Sequence, residues 1–281
     1  MDLRDLVRNH PEAIVGHTPL GISLNLKKEL RRFANDPMSD LLNLIDSSKI
    51  SFIIGDIERY LQAYSRYALS LERALIHCSV SRSHDQELRY HPHNKEYSAR
   101  QKKLALKWSQ TSRFLELDYQ NLIIHACILL DRTITLSRRF LTGNQLPSFT
   151  SFSKHKGYLA KSPSSLDIIH SGYVKEITST TGWFEIPLKV LRDKFLMHSA
   201  EKYLSFFGWN GTNEYDQEML TIIPASHDQE KLLEKVKVIS FSPRRLARDI
   251  ESFLTWFSDY GIKCLKAHPT SESSVLGGWQ G

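Results

Sequence analysis

Residues 99–141 read ARQKKLALKWSQTSRFLELDYQNLIIHACILLDRTITLSRRFL. Within them Phe114, Leu117, Leu122, Ile123, Ala126, Leu129, Leu130, Thr133, Ser137 and Phe140 keep the period of a helix for many turns. The spacing predicts one long helix from about Ala99 to Leu141. Gly143-Asn144 ends it, a pair prone to the left-handed conformation that follows a helix. His125, Asp131, Arg132, Arg138 and Arg139 decorate this helix as solvated or ion-paired groups, and its basic end is placed to line a phosphate path.

Upstream, a first long helix is expected from about Ser51 to Val80, where Ile57, Tyr60, Leu61, Tyr64, Tyr67, Ala68, Leu71 and Leu75 recur at three- and four-residue spacing. Tyrosines interleaved with aliphatic residues suit a packed core better than a stacking surface for bases. Residues 81–98 are polar and read as a turn-rich link. His84, His91 and His93 lie close together there, but Pro92 stands between two of them and no cysteine is near, which fits no usual zinc spacing. Before residue 50, His17-Thr18-Pro19-Leu20-Gly21 is turn chemistry. The basic run Leu24 to Phe33 is broken by Asp36-Pro37, and Leu41, Leu42, Leu44 and Ile45 mark a second short helix.

Downstream, 147–181 reads as loop and short helix. A third long helix is expected from about Trp183 to Phe207, with Pro187 in its first turn and Gly208 and Gly211 at its end. Residues 219–223 and 236–241 are β-prone and suggest a small hairpin-like insertion near 219–241. Ser242-Pro243 then opens a last helix through Leu246, Ile250, Phe253, Leu254 and Phe257 to about Leu265. The expected fold class is all-α, an antiparallel bundle of long helices carrying that insertion. Three regions follow: 1–50 with loop and short helices, a helical domain over 51–266, and a tail over 267–281.

The chain has 281 residues, of which 41% are hydrophobic and 24% charged, the composition of a globular protein with a sizeable core. The longest apolar run, Leu122 to Leu130, contains His125 and meets Asp131-Arg132, so no membrane span is expected. Met1-Asp2-Leu3-Arg4-Asp5 lacks the apolar core of a signal peptide. Cys78, Cys127 and Cys264 stand singly, which fits a reducing compartment and no disulfide framework. These features together predict a cytoplasmic location. A net charge of +6 favours polyanionic partners.

The expected third helix contains Leu191-Arg192-Asp193-Lys194-Phe195-Leu196-Met197-His198. An arginine, a polar residue after it and a histidine six positions on resemble the signature of HEPN ribonucleases. The order of elements is similar too: two long helices, the motif helix, then a closing helix. The resemblance covers about residues 51–266. It implies that Arg192, Asp193 and His198 form a catalytic set, that two copies of the chain dimerise to build a composite site, and that RNA is the substrate. An antiviral or toxin-like role under a regulatory protein partner is implied as well. A second match, Arg4-Asp5-Leu6-Val7-Arg8-Asn9-His10, runs straight into Pro11 at the chain terminus, with little core to hold it.

Six residues along a helix turn ~600° and rise ~9 Å, so Arg192 and His198 project ~120° apart. A long arginine side chain or a symmetric partner is needed to focus both on one phosphate. The chemistry then follows from residue type. An imidazole moves protons near neutral pH, and a guanidinium holds phosphoryl oxygens as charge builds in the transition state. Asp193 orients the arginine. The RNA supplies its own 2′-hydroxyl nucleophile, so cleavage leaves a 2′,3′-cyclic phosphate and a 5′-hydroxyl. No cofactor and no metal are expected. The alternative is a non-catalytic helical module that dimerises or binds nucleic acid or nucleotide in a regulatory or toxin–antitoxin complex. The sequence contains no GxSxG elbow, P-loop, dinucleotide fingerprint or HExxH.

Overall fold

A computed structural model describes residues 36–46, 54–89, 98–143, 147, 149–197, 204–209, 217–223 and 237–267. Two helices dominate it. Helix α2 (Ile54–Arg89) and helix α3 (Ala99–Leu136) form an antiparallel hairpin. Its direction is fixed by contacts along its length: Asp56 with Arg138, Ser70 with His125, His77 with Asp118, and Glu87 with Arg100. Each step forward on α2 is a step back on α3.

The hairpin is held by a heptad-like seam. On α2 the buried residues are Tyr60, Ala63, Tyr67, Ser70, Ala74, Cys78 and Ser81. On α3 they include Leu115, Tyr119, Leu122, Ala126, Leu129 and Thr133. Spacings of three and four keep one edge of each helix turned to the other. Helix α3 starts at a capping box, in which Ser98 Oγ accepts from the Gln101 N–H and Gln101 Oε1 accepts from the Ser98 N–H. It tightens into a 3₁₀ turn over Ser137–Arg139.

Helix α7 (Pro243–Ala267) packs along both hairpin helices, and its buried face carries Leu246, Ile250, Phe253, Leu254 and Phe257. Ser242 Oγ caps its start by accepting from the Arg245 N–H. Helix α1 (Ser39–Asp46) packs on α7. There Gly261 leaves room for Leu41 and Phe140, and Phe140 meets Phe257 edge-on at 5.2 Å. Helices α4 (Phe152–Lys161) and α5 (Ser171–Lys175) extend the same core with Phe152, Leu159, Tyr173 and Val174. Among the described residues the architecture is therefore predominantly helical, of the all-α class, and no helix is long and apolar enough to cross a membrane.

Several expectations need correction. The stretch read as a link at 81–98 is helical as far as Arg89, because pairing with the start of α3 covers one side of an otherwise polar helix. Phe114 and Leu117 are not core residues. They are 56% and 54% exposed, and the seam runs through their neighbours Leu115 and Asp118. The third long helix does not reach residue 207. A π-helical segment (Phe184–Lys189) leads into a short helix α6 (Val190–Met197), and Leu204–Trp209 is strand β1, with Gly208 inside it. Strand β1 pairs antiparallel with β2 (Gln217–Ile223), which pairs with β3 (Lys237–Phe241), in the order β1-β2-β3. The sheet joins the core where Phe241 meets Tyr119 edge-on at 5.4 Å.

Candidate active site

The motif arginine is placed by what surrounds Pro187. Proline has no N–H to give, so a regular helical ladder cannot close through it. The chain passes through two π-helical segments, Glu176–Thr180 and Phe184–Lys189, before α6 begins. Phe184, Leu188 and Leu191 are fully buried at four- and three-residue spacing and press this region against α3. With Leu191 pointing inward, the next two residues lie at the rim.

Arg192 and Asp193 meet there. Arg192 donates from Nε at 3.0 Å and from Nη2 at 2.8 Å, both to Asp193 Oδ1. The arginine side chain is 23% exposed and the aspartate 44%. From α3, Cys127 and Asp131 lie near the guanidinium, one helical turn apart. Asp131 Oδ1 also accepts the Phe152 N–H at 2.7 Å, satisfying one orphan donor at the start of α4.

The electrostatics follow from this packing. Burial works against the Arg192 charge, but the Asp193 hydrogen bond and the charges of Asp193 and Asp131 outweigh it, and its pKa moves upward. Burial raises the Asp131 carboxyl, opposed by the Phe152 N–H, Arg192 and Arg132. Burial pushes the Cys127 thiol up to about 12, so it is a neutral packing group at physiological pH and no nucleophile. Arg192 is thus a fixed, partly sheltered cation held between carboxylates.

Of the three motif residues the structure brings Arg192 and Asp193 together. His198 follows Met197 directly in sequence and lies outside the described residues, as do His91, His93 and the second match at 4–10. Asp131 is a neighbour that sequence reading missed as part of this site. It stands more than sixty positions from Arg192 on another helix, with no motif to connect them.

Two other polar clusters are built into the fold. Ser70 Oγ meets His125 Nδ1 at 2.6 Å, and His77 Nδ1 meets Asp118 Oδ2, one heptad further along. His170 Nε2 accepts the Thr142 N–H at 3.1 Å, so its other ring nitrogen carries the proton and donates to Tyr260 Oη at 2.7 Å. Among the described residues no three of His, Cys, Asp and Glu are grouped to hold a metal ion. A cleft of about 490 Å³ opens at the end of α3 between Ile134, Ser137, Leu141 and Phe149, with Arg138 at its wall.

No family model matches this chain, and no curated protein or solved structure does either.

Proposed function

We propose that the chain is a metal-independent endoribonuclease of the HEPN kind, with Arg192, Asp193 and His198 as its catalytic set. The observation that carries this reading is the Arg192–Asp193 pair. A guanidinium is gripped through Nε and Nη2 by the residue beside it, on a short helix anchored to α3 by Leu188 and Leu191. A cation fixed before substrate arrives stabilises developing phosphoryl charge without having to reorganise. With Nε and Nη2 turned to Asp193, the Nη1 end is the part left to approach a phosphoryl oxygen.

In the proposed reaction His198 removes the proton of the ribose 2′-hydroxyl. The 2′-oxygen attacks the adjacent phosphorus while Arg192 holds the non-bridging oxygens, the P–O5′ bond breaks, and the 5′-oxygen leaves with a proton taken from solvent water. The products are a 2′,3′-cyclic phosphate and a 5′-hydroxyl. A second copy of the chain would bring a second Arg192 and His198 to the same cleft. The cellular setting proposed is toxin-like or antiviral, restrained by a regulatory protein.

A second reading has its own observation. Arg192 is flanked by Asp131 as well as Asp193, and such a cluster also serves to tie α6 to α3 without catalysis. Cleavage of a labelled mixed-sequence RNA in excess chelator separates the two. Ribonuclease chemistry gives cyclic phosphate ends that vanish in Arg192→Ala and His198→Ala while both variants stay folded. Intact RNA with wild type and variants alike gives the site to the structural reading.

A further inference from the structure

One side of the α2–α3 hairpin is a long basic groove. On α2, Arg59, Arg66 and Arg73 follow one another at seven-residue intervals, all exposed. Seven residues are nearly two full turns, so the three stand in a row. On α3, Arg100, Lys103 and Lys107 are exposed at three- and four-residue spacing, and Arg132 continues their row beyond His125. The two rows border the same groove. His125 of α3 touches Ser70 of α2 and is influenced by the Arg66 charge, while His77 of α2 stacks on Phe114 of α3 with ring centroids 6.2 Å apart.

Phe114, left outside the core at 56% exposure, lies in the α3 row itself, and Leu117 of α3 and Ile76 of α2, at 54% and 53%, stand on the outer flanks of the two rows. Among the described residues two carboxylates form ion pairs with the groove's cations, and Asp131 acts on the Arg132 charge from the neighbouring position. Asp118 is buried beneath His77, with Arg73 at 3.9 Å, and Glu87 bonds Arg100 at 3.1 Å. Seven cations thus track about 48 Å of helix, the distance from Arg100 to Arg132. Cys127 and Asp131, which face Arg192, project from a different side of α3.

We propose that this groove binds the backbone of single-stranded RNA, with bases resting on Phe114 and its apolar neighbours. The cations gather at the two ends of the groove, Arg59, Arg66, Arg73 and Arg132 at one and Arg100, Lys103 and Lys107 at the other, with Phe114 between them. Such rows match a phosphate chain, and an exposed aromatic ring between them stacks bases without regard to sequence. A protein partner would have to present an equally long acidic row. The affinity for a phosphate chain rests on the groove alone, and the choice of RNA over DNA rests on the ribonuclease reading.

The test is fluorescence anisotropy with a labelled 2′-O-methyl RNA of about 20 nucleotides, which spans such a groove and lacks the nucleophile for cleavage. The full chain should bind with an affinity that falls steeply as salt rises. Arg66→Glu/Arg73→Glu and Lys103→Glu/Lys107→Glu should each weaken binding by about tenfold or more and flatten the salt slope. Lys154→Glu/Lys161→Glu, on α4 away from the groove, should leave it unchanged. Because charge reversal can disturb a helix, Arg66→Gln/Arg73→Gln is measured beside it and should show the same loss in smaller degree. Equal loss in the α4 variant, no loss in the groove variants, or no RNA binding at all would each overturn the proposal. So would capture by phosphatidylserine-containing vesicles in place of RNA. Retained binding by a chain that never cleaves RNA removes the ribonuclease reading and leaves the groove.

Discussion

His77 Nδ1 faces the Asp118 carboxylate across the α2–α3 seam, seven residues along each helix from the Ser70–His125 contact. Two polar pairs one heptad apart, set into a largely apolar seam, are satisfied in one register only. A slip of α2 against α3 would bury Asp118, now 7% exposed, without its imidazole.

A double-mutant cycle should therefore find coupling in this pair. His77→Ala leaves the largely buried carboxylate with Arg73 as its remaining ion-pair partner, and His77 is itself partly exposed, which moderates the loss. The expected coupling energy is about 1 kcal/mol or more from urea melts of His77→Ala, Asp118→Ala and the double variant. Strict additivity of the two single effects would show that the pair does not set the register.

The hairpin was legible in the sequence because one heptad seam leaves a long periodic trace. Which edge of α3 turns inward was not. Phe114 and Leu117 are as apolar as Leu115 and lie about 100° and about 160° round the helix from it, so periodicity alone cannot choose between the stripes. The choice is made by α2 and α7, which are remote in sequence. The break after Met197 was hidden by a similar conflict. Leu204–Trp209 is rich in aromatic residues that suit a strand equally well, and pairing with β2 decides. At the candidate site the adjacent Arg192 and Asp193 could be read directly. Asp131 reaches them only through folding.

His155 should make the protein sensitive to acid. Its ring is fully buried, Phe149 meets it edge-on at 4.3 Å, and Nε2 bonds Tyr173 Oη at 3.0 Å while Nδ1 has no partner. Burial pushes its pKa down from the usual 6.5 to about 3. The unfolded chain takes a proton on this residue below about pH 6.5 and the folded one does not, so stability is lost as pH falls from there toward 3, by up to ~1.4 kcal/mol per pH unit. His155→Phe should flatten this part of the curve in urea melts. An unchanged slope would mean that other groups carry the acid sensitivity.

Asp36 acts with the opposite sign. Its Oδ1 accepts from the Met38 N–H at 2.9 Å and the Tyr60 hydroxyl at 2.8 Å, but Oδ2 is buried without a partner. Burial raises the carboxyl to about 6 despite those two bonds. The folded state therefore holds this proton more tightly. Its contribution is fully present below about pH 4 and is lost as pH rises through 6. Asp36→Asn keeps an acceptor for both donors and carries no charge, so it should stabilise the protein at pH 8 by on the order of 2 kcal/mol, with little gain at pH 4. A variant no more stable than wild type at pH 8 would contradict the assignment.

Two glycines should respond differently to alanine. A Cβ at Gly143 would lie 2.3 Å from the Ser165 carbonyl oxygen, at the bridge that ties Gly143 to Leu166. Backbone cannot retreat without breaking that bridge, so Gly143→Ala should cost about 1–3 kcal/mol. A Cβ at Gly261 would meet the tips of Leu41 at 2.9 Å and Phe140 at 3.0 Å. A leucine tip can rotate, and alanine favours a helix over glycine by about 1 kcal/mol, so Gly261→Ala should fall near neutral. Thermal melts giving the reverse order would show that the α1–α7 contact is the less forgiving one.

Arg192→Lys is the sharpest test of how the candidate site works. Lysine keeps the positive charge between Asp131 and Asp193, so an arginine acting only as a counter-ion for α6 would be replaced with little effect on melting or on RNA cleavage. The proposed role needs more than charge. Asp193 Oδ1 holds Nε and Nη2 together, which orients the guanidinium plane, and a lysine ammonium has no plane to orient. Cleavage by Arg192→Lys should therefore fall by about 100-fold or more in kcat, in the range seen when a fixed transition-state donor is removed. KM and the melting temperature should change little. A lysine variant that cleaves like wild type would remove the guanidinium geometry from the mechanism and leave only its charge.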